Sequence, residues 1–471
     1  MADPTPTSTP TPAAPSVAKE APPKAPPPKV PPPRNPALRM LGLPALPRKL
    51  PSRNWLIFWT LSTTITAAII YDRREKKRAI ARWRHAVEHL AKEPLPGNGL
   101  AEPRKLTIFL SSPPGDGLRV AQDHYTEYVK PVLAASGLDW EFVQGRREGD
   151  VRAVVAERVR KVRRGWEGSA DPDSDRPPTD DEIVTAVRRS RGIEEYAGVR
   201  GDIVIGRHTW KEYIRGLHEG WLGPLAPPPE PELPLPEAAT SESNFGEDEK
   251  PNEEKPPAVQ ETKPKRPPQP KPYNTTNDYI AESLPLLTPN EFSPVAPVPE
   301  PHILGFLNTP TRMVRFFNRR KLADDIGRQV VAVCLCTYRE FHEAAEHDSS
   351  ETDAEKRYEQ QKELAWEEKD WVKAVWKEDK PKAEGDAAAA DNDDGVAEKI
   401  RARPIVIDSR VTARMRRFDL LPEDEARARQ FVVPEEEVEG WTKGKLRQLY
   451  RWGVDKTKPK KLTPLDDSDV E

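Results

Sequence analysis

The stretch RKLTIFLSSPPGDGLRVAQDHYTEYVKPVL, residues 104–133, decides the fold. Its apolar and β-branched residues up to Ser112 predict a buried strand, PPGDG predicts a turn, and the apolar residues at helical spacing that follow predict a helix. Glycine between a strand and a helix lets backbone amides approach a phosphate. However, PPGDG matches neither G-x-G-x-x-G nor a P-loop, so an ordinary β-to-α turn is the favoured interpretation.

The same alternation continues to residue 223. LDWEFVQG (residues 138–145) predicts a second strand and GDVRAVVAERVRKVRRG (149–165) a second helix. RGDIVIG (200–206) predicts a third strand, which leads into the helical RHTWKEYIRGLHEGWLG (207–223). Strands that alternate with helices predict an α/β fold with a Rossmann-like parallel sheet and right-handed crossovers.

The carboxy-terminal half predicts further elements of the same domain. We expect an aromatic and basic helix from residue 302, a buried strand over 329–337 and another strand over 404–408. A charged helix over 356–380 should have one apolar face, formed by Trp371, Val372, Val375 and Trp376. Cys334 and Cys336 are two positions apart, which would strain a disulfide, so they are predicted to be free thiols packed in a sheet.

The composition excludes a single continuous globule. The 471 residues include 54 prolines and are 32% charged, so proline-rich tracts should be disordered linkers. The net charge of −3 gives no overall field for nucleic acid. No serine, cysteine or histidine constellation indicates a nucleophile and base, and no cofactor motif is present, so binding or scaffolding is favoured over catalysis.

Residues 55–71 predict a single transmembrane anchor. These 17 residues carry no charge and would form a helix of roughly 25 Å, near the lower limit for a hydrocarbon core of about 30 Å. Trp55, Trp59 and Tyr71 suit the membrane interface, and arginines flank both ends. The alternative is a buried core helix, because five hydroxyl residues lower the hydrophobicity of the segment.

A basic amphipathic helix is predicted directly after the anchor. Its cations are Arg73, Arg74, Lys76, Lys77 and Arg78. Its apolar face is formed by Ile80, Trp83, Val87 and Leu90. Such a helix could lie on anionic lipid, act as an internal targeting signal, or be a solvated charged helix. Four cations before the span and seven after it would place the large domain on the negative side of the membrane.

Two further motifs each have both a functional and a simpler structural interpretation. HAVEH, residues 85–89, matches a zinc-peptidase pattern, but Arg82 and Arg84 would repel a dication, so no metal site is predicted. RMVRFFNRRK, residues 312–321, could touch RNA or lipid headgroups, or could be a helix with one buried face.

Long blocks of this sequence resemble the fungal Tim54 family of the mitochondrial inner-membrane carrier translocase. They are NPALRMLGLPALPRKLPSRNW, YDRREKKR, the stretch from residue 104, EGDVRAVVAERVRK, HILGFLNTPTRMVRFFNRRKLADDIGRQVVAV and RMRRFDL. The resemblance implies a single-span protein whose large domain faces the intermembrane space. It also implies a non-catalytic scaffold that supports the pore subunit and small intermembrane-space chaperones, and that contacts inner-membrane lipids but no nucleic acid.

A fainter likeness concerns diacylglycerol-type lipid kinases, whose third strand leads into a G-G-D-G-T phosphate loop. Here that position reads Gly206, Arg207, His208 and Thr209, and the bulky side chains would obstruct the close backbone approach that glycine permits. The alternative function is a membrane-anchored lipid kinase-like enzyme with residual nucleotide binding through Gly115 and Gly117. A peripheral lipid-transfer module would require a large apolar cavity.

These predictions divide the chain into eight segments. They are a proline-rich arm (1–47), the anchor (48–72), the basic juxtamembrane helix (73–95), the α/β domain (103–223), an acidic and proline-rich linker (224–275), the second part of the soluble domain (276–346), a charged helix with a loose tract (347–400), and a carboxy-terminal strand and helix (401–471).

Overall fold

The computed structural model describes residues 52–94, 102–167, 180–193, 196, 198–227, 269–342, 358–377 and 398–457. The predicted arm, most of the predicted linker and most of the predicted loose tract lie outside the described residues. The chain divides into two compact units, Met1–Thr64 and Ile65–Glu471. In the first unit the structure describes the start of helix α1, and the second unit contains the sheet.

The described elements alternate between helices and strands, as an α/β fold requires. In chain order they are α1 (Arg53–Val87), β1 (Lys105–Ser111), α2 (Leu118–His124), a π-helical turn (Tyr125–Val129), α3 (Lys130–Ser136), β2 (Asp139–Gly145), α4 (Asp150–Glu167), α5 (Asp180–Ser190), β3 (Asp202–Ile205), α6 (Arg207–Leu222), β4 (Val295–Val298), α7 (Thr309–Phe316), α8 (Arg319–Leu335), β5 (Tyr338–Glu340), α9 (Glu359–Lys362), a 3-10 turn (Ala365–Asp370), α10 (Ser409–Thr412), β6 (Arg416–Phe418), α11 (Pro422–Gln430), α12 (Glu435–Glu439) and α13 (Trp441–Thr457).

The strands form one six-stranded sheet in the order β2-β1-β3-β4-β6-β5. The four pairings from β2 to β6 are parallel, and β5 pairs antiparallel with β6 at the edge. The predicted mostly parallel sheet is therefore confirmed, and so are its first three strands and the helices α4 and α6.

The sheet separates two apolar cores, because successive side chains of a strand point to opposite faces. Leu106, Ile108 and Leu110 of β1 pack in one core with α2, α3, α8 and the end of α1. Phe109 packs in the other core with α4 and α6. Both faces of the parallel sheet are thus covered, which explains the near-continuous apolar runs of β1 and β3.

Helices α4 and α6 approach each other closely on one face of the sheet. A Cβ at Gly216 would lie 2.5 Å from the carbonyl oxygen of Arg152, and one at Gly220 would lie 2.6 Å from Cβ of Val159. A side chain at either position would push the helices apart.

A buried ionic cluster links the same two helices. Glu219 of α6 pairs with Arg152 and, at 2.6 Å, with Arg160 of α4, while Arg215 lies 3.8 Å away. The side chains of Glu219 and Arg152 are each only 1% exposed. Burial alone would raise the pKa of Glu219, but the arginines hold it below its usual value.

Residues 269–275, which were assigned to the linker, pack against this cluster. The backbone amide of Tyr273 donates to Glu219 Oε1 at 3.1 Å, and the Arg160 guanidinium lies 3.6 Å from the centre of the Tyr273 ring. Residues at this end of the predicted linker thus satisfy buried polar groups of α4 and α6.

The predicted strand over residues 329–337 is wrong. These residues belong to α8 as far as Leu335, and the helix ends where Cys336 adopts a left-handed conformation with φ 60°. Val330, Val331 and Val333 are all buried, and such a short apolar run does not distinguish a buried strand from a buried helix. Both thiols are free, but they lie at the end of a helix rather than in a sheet.

Two other predicted elements also differ from the structure. Residues 404–408 are extended but form no strand, and Ile405 packs in the core with α4 and α6. The predicted charged helix is broken into α9 and the 3-10 turn, because Leu364 between them has φ 56°. Trp371 and Trp376 stack on each other instead, with ring centroids 5.8 Å apart.

The remaining differences concern the carboxy-terminal half of the sheet. The predicted aromatic and basic helix is two helices, α7 and α8, separated at Phe317 and Asn318. Strands β4, β5 and β6 are not predicted from the sequence. Strand β4 reads VAPV, and a proline within an apolar run argues against a central strand, although Pro297 pairs opposite Val204 in the structure.

Candidate functional site

Within the described residues, one helical stretch, Arg53–Lys92, is long and apolar enough to cross a membrane. The predicted interface residues Trp55, Trp59 and Tyr71 are exposed on this helix. Trp55 stacks on Trp59 with ring centroids 6.4 Å apart. The uncharged surface of residues 55–71 is thus available to lipid, and the anchor stays a prediction.

The predicted basic residues divide into two sets. Arg73 and Lys77 are exposed, whereas the other three contact the domain. Arg74 pairs with Glu435 and, at 3.0 Å, with Glu439, and Arg78 pairs with Glu435 at 3.2 Å.

Lys76 is the most buried of the five basic residues. It pairs with Glu127, and its ammonium lies 4.2 Å from the centre of the Tyr128 ring. Burial lowers the pKa of Lys76, and the Glu127 carboxylate opposes that shift. Lys76 is therefore bound to the domain in this structure.

The apolar face of the juxtamembrane part of α1 is confirmed, but protein rather than lipid covers it. Trp83 and Val87 are buried in the core with α8, and Ile80 and Leu90 pack against that core. The indole Nε1 of Trp83 donates to Asp324 of α8 at 2.8 Å. The interpretation of this face as a lipid-binding surface is therefore wrong. The sequence pattern does not distinguish the two, because a helix face that packs in a protein core has the same apolar spacing as one that packs on lipid.

The HAVEH motif at the end of α1 takes part in hydrogen bonds to carboxylates. His85 lies 3.0 Å from Glu88 through Nδ1 and 2.9 Å from Glu437 through Nε2. The bond to Glu437, followed by that to Glu88, raises the pKa of His85. Among the described residues, no cluster of histidine, cysteine or carboxylate side chains has the geometry to hold a metal ion.

The carboxyl ends of the parallel strands form the edge where ligands usually bind in α/β folds. The PPGDG loop lies here, and Gly115 has φ +90°, a conformation that favours glycine. Residues 115–117 of the loop are exposed, and Leu304 and Val372 lie beside Gly115, since a Cβ there would lie 3.0 Å from one and 3.6 Å from the other. A side chain at position 115 would therefore meet both a left-handed backbone and an apolar neighbour.

A carboxylate of the chain itself occupies the amino terminus of α6, which follows β3. The backbone amide of Arg207 donates to Glu367 Oε2 at 2.9 Å, and the amide of Glu300 donates to Glu367 Oε1 at 2.8 Å. Exposed amides at a helix start are where a phosphate would bind. Burial raises the pKa of Glu367 to about 7 in spite of these two bonds.

The side chains of Arg207 and His208 also fill the edge. The Arg207 guanidinium donates to Glu368 Oε1 and to the Glu363 carbonyl oxygen, each at 2.6 Å. His208 Nε2 lies 3.0 Å from the Ser111 carbonyl oxygen, and burial lowers the pKa of this histidine to about 3. His208 is therefore neutral at pH 7 and donates to the end of β1.

Glu300, directly after β4, completes the cluster. Its side chain is 2% exposed, and in the part of the chain that the structure describes neither carboxyl oxygen has a hydrogen-bond partner. Burial, with the nearby Glu367, raises the pKa of Glu300 well above its usual value. The part of the sheet edge at the start of α6 is thus filled by side chains of the same chain.

Glu300 and Glu367 were not identified from the sequence. Glu367 lies in the predicted charged helix over residues 356–380, and Glu300 follows a strand that is not predicted from the sequence. A glutamate in such surroundings looks like a surface residue, because acidic residues are mostly exposed.

These observations define an α/β protein with a candidate membrane helix and a sheet edge that its own side chains occupy. Residues 35–418 match the family model described as inner membrane protein import complex subunit Tim54. The chain is 64% identical over 438 residues to mitochondrial import inner membrane translocase subunit tim54 of Neurospora crassa, which covers 92% of each chain. It therefore belongs to the Tim54 family.

More distant relatives give the same result. The subunit of the same name in Aspergillus oryzae is 43% identical over 84% of this chain and 91% of its own length. The Saccharomyces cerevisiae subunit is 28% identical over 63% of this chain and 81% of its own length.

Proposed function

We propose that this chain is a non-catalytic scaffold subunit of the mitochondrial inner-membrane carrier translocase and that it supports the insertion of multi-span proteins. The observation that carries the proposal is the occupied amino terminus of α6. Glu367 accepts hydrogen bonds from the backbone amides that would bind a phosphate, and the side chains of Arg207 and His208 are held beside them by other parts of the chain. A fold that binds ligands at this edge in many enzymes thus serves here as a rigid body for protein contacts, in keeping with the translocase-subunit names of the relatives.

The proposal includes a topology and a set of partners. Residues 55–71 span the inner membrane and contact its lipids, and the large carboxy-terminal domain lies in the intermembrane space. There it contacts the pore subunit and small chaperones. The excess of cations after the span favours the opposite orientation, but large domains are sorted with little regard to flanking charge.

Purification of the tagged full-length chain from detergent-solubilised mitochondria tests the scaffold role. We expect the pore subunit to be recovered with it, and depletion of the chain to reduce carrier insertion. Recovery of the chain alone, with carrier insertion unaffected by depletion, would contradict the proposal. An ATP affinity in the micromolar range that Gly115→Ala and Gly117→Ala abolish would favour the kinase-like alternative, which no feature of the described residues supports.

The basic run after the span provides a prediction about import. We propose that its charge assists insertion of the newly made chain, which is unfolded and has none of the ion pairs of the folded domain. Arg73→Gln with Lys77→Gln and Arg74→Gln with Arg78→Gln each remove two charges. Both double variants should therefore slow potential-dependent import into isolated mitochondria to a similar extent.

Stability separates this charge effect from a folding effect. Arg74 and Arg78 pair with Glu435, so their replacement should also lower the free energy of unfolding by about 1 kcal/mol or less per pair. Replacement of the exposed Arg73 and Lys77 should leave the free energy of unfolding unchanged. If only the Arg74 and Arg78 variant imports slowly, the run acts through the folded domain and the targeting role is wrong.

A further inference from the structure

Helix α13 exposes an apolar face near the carboxyl end of the described chain. Leu446, Leu449 and Tyr450 are 67%, 64% and 72% exposed. They are spaced i, i+3 and i+4, so they lie on one side of the helix. The helix lies beyond residues 35–418, which the family model matches. Three large apolar side chains that are contiguous on one helix face indicate an interaction surface rather than scattered exposed residues.

Three cations of α13 form ion pairs with α12. Lys445 pairs with Glu436 at 2.5 Å, Arg447 with Glu439 at 3.1 Å, and Arg451 with Glu435 at 3.0 Å. These three pairs fix the helix on α12 and leave the apolar face uncovered by the described part of the chain.

The same two carboxylates of α12 hold the helix that leaves the predicted membrane span. Arg74 of α1 pairs with both Glu435 and Glu439, and Arg78 pairs with Glu435. Arg74 is three residues beyond Tyr71, which is about 4.5 Å along a helix. Glu435 and Glu439 therefore connect α13 to the first turn of α1 after the uncharged residues.

We propose that α13 lies along the membrane surface, with Leu446, Leu449 and Tyr450 inserted at the headgroup boundary of an anionic bilayer. The inference rests on the anchoring part of the proposed function. Amphipathic helices with apolar and aromatic residues on one face and cations beside it bind in this manner. The exposed Lys443 adds attraction to anionic headgroups, whereas Lys445 and Arg451 are paired with carboxylates of α12.

Site-specific fluorescence on the reconstituted full-length chain tests the proposal. An environment-sensitive fluorescent amino acid replaces Tyr450 on the apolar face or, as a matched control, the exposed Gln448 on another side of the same helix. The chain is placed in phosphatidylcholine vesicles with or without phosphatidylglycerol. We expect a nitroxide in the acyl chains to quench the label at position 450 several-fold more than the label at 448, and iodide in the water to do the reverse.

A second variant tests whether the apolar face is responsible. Leu446→Glu with Leu449→Glu should cancel the difference between the two labels, and the difference should be larger with phosphatidylglycerol than without it. Equal aqueous quenching of both labels in every vesicle would overturn the proposal. Protection of position 450 in whole mitochondria but not in vesicles would also overturn it and would indicate a protein occupant. Failure of the chain to remain with the vesicles after alkaline carbonate would instead contradict the anchor itself.

Discussion

Replacing Glu219 by glutamine is expected to lower the free energy of unfolding by about 3 to 5 kcal/mol, because it leaves buried arginines without their counter-ion. Glu219 pairs with Arg152 and Arg160, and its side chain is 1% exposed. Glutamine keeps the shape of the side chain, so the loss reports charge rather than a cavity. Denaturant unfolding of the full-length chain in detergent, followed by circular dichroism, measures the effect.

Glu157→Gln is the matched control. Glu157 also pairs with Arg160, at 3.7 Å, and with Arg164, but its own side chain is 50% exposed. Surface ion pairs contribute about 1 kcal/mol or less, so this variant should resemble the wild type. Equal losses in the two variants would show that burial of the cluster does not decide its importance.

Replacing Trp83 by alanine is expected to lower the free energy of unfolding by about 3 to 5 kcal/mol, because a large buried side chain is lost. Trp83 is 2% exposed and fills the space over Gly327, where a Cβ would lie 2.2 Å from its ring. The variant should release the juxtamembrane part of α1 from α8. Limited proteolysis near residue 83 and the unfolding midpoint of the full-length chain measure the two effects.

Trp83→Phe separates packing from hydrogen bonding. Phenylalanine keeps much of the volume but loses the donor to Asp324, so it should cost about 1 to 3 kcal/mol, less than alanine. If Trp83→Ala and Trp83→Phe lower the free energy of unfolding equally, the hydrogen bond to Asp324 rather than the packing of the ring keeps α1 on α8. If neither variant is destabilised, α1 is not docked on α8 in solution.

The amino-terminal half of the fold was predictable because the spacing of its apolar residues changes at each boundary between a strand and a helix. The strand before PPGDG and the helix after it have different spacings of apolar residues, and glycines mark the turns. The carboxy-terminal end of helix α8 failed this test, because residues 330–334 are all buried and its valines resemble a strand. Strand β4 failed because Pro297 argued against it.

The candidate site was less predictable than the fold, since its features arise from contacts between distant segments. The face formed by Ile80, Trp83, Val87 and Leu90 was identified correctly, but the sequence did not show whether lipid or protein covers it. Glu219 and Glu367 looked like surface charges. Their burial depends on arginines and backbone amides that lie far from them in sequence.

The intrachain bond of Glu367 has a consequence for how this protein responds to metabolites. A tethered ligand competes with free ligands at an effective concentration on the order of millimolar or more, without any loss of translational freedom. A dissolved nucleotide would have to displace that carboxylate from the backbone amides of Arg207 and Glu300. We therefore expect the fold of this translocase subunit to be insensitive to the nucleotide concentration around it.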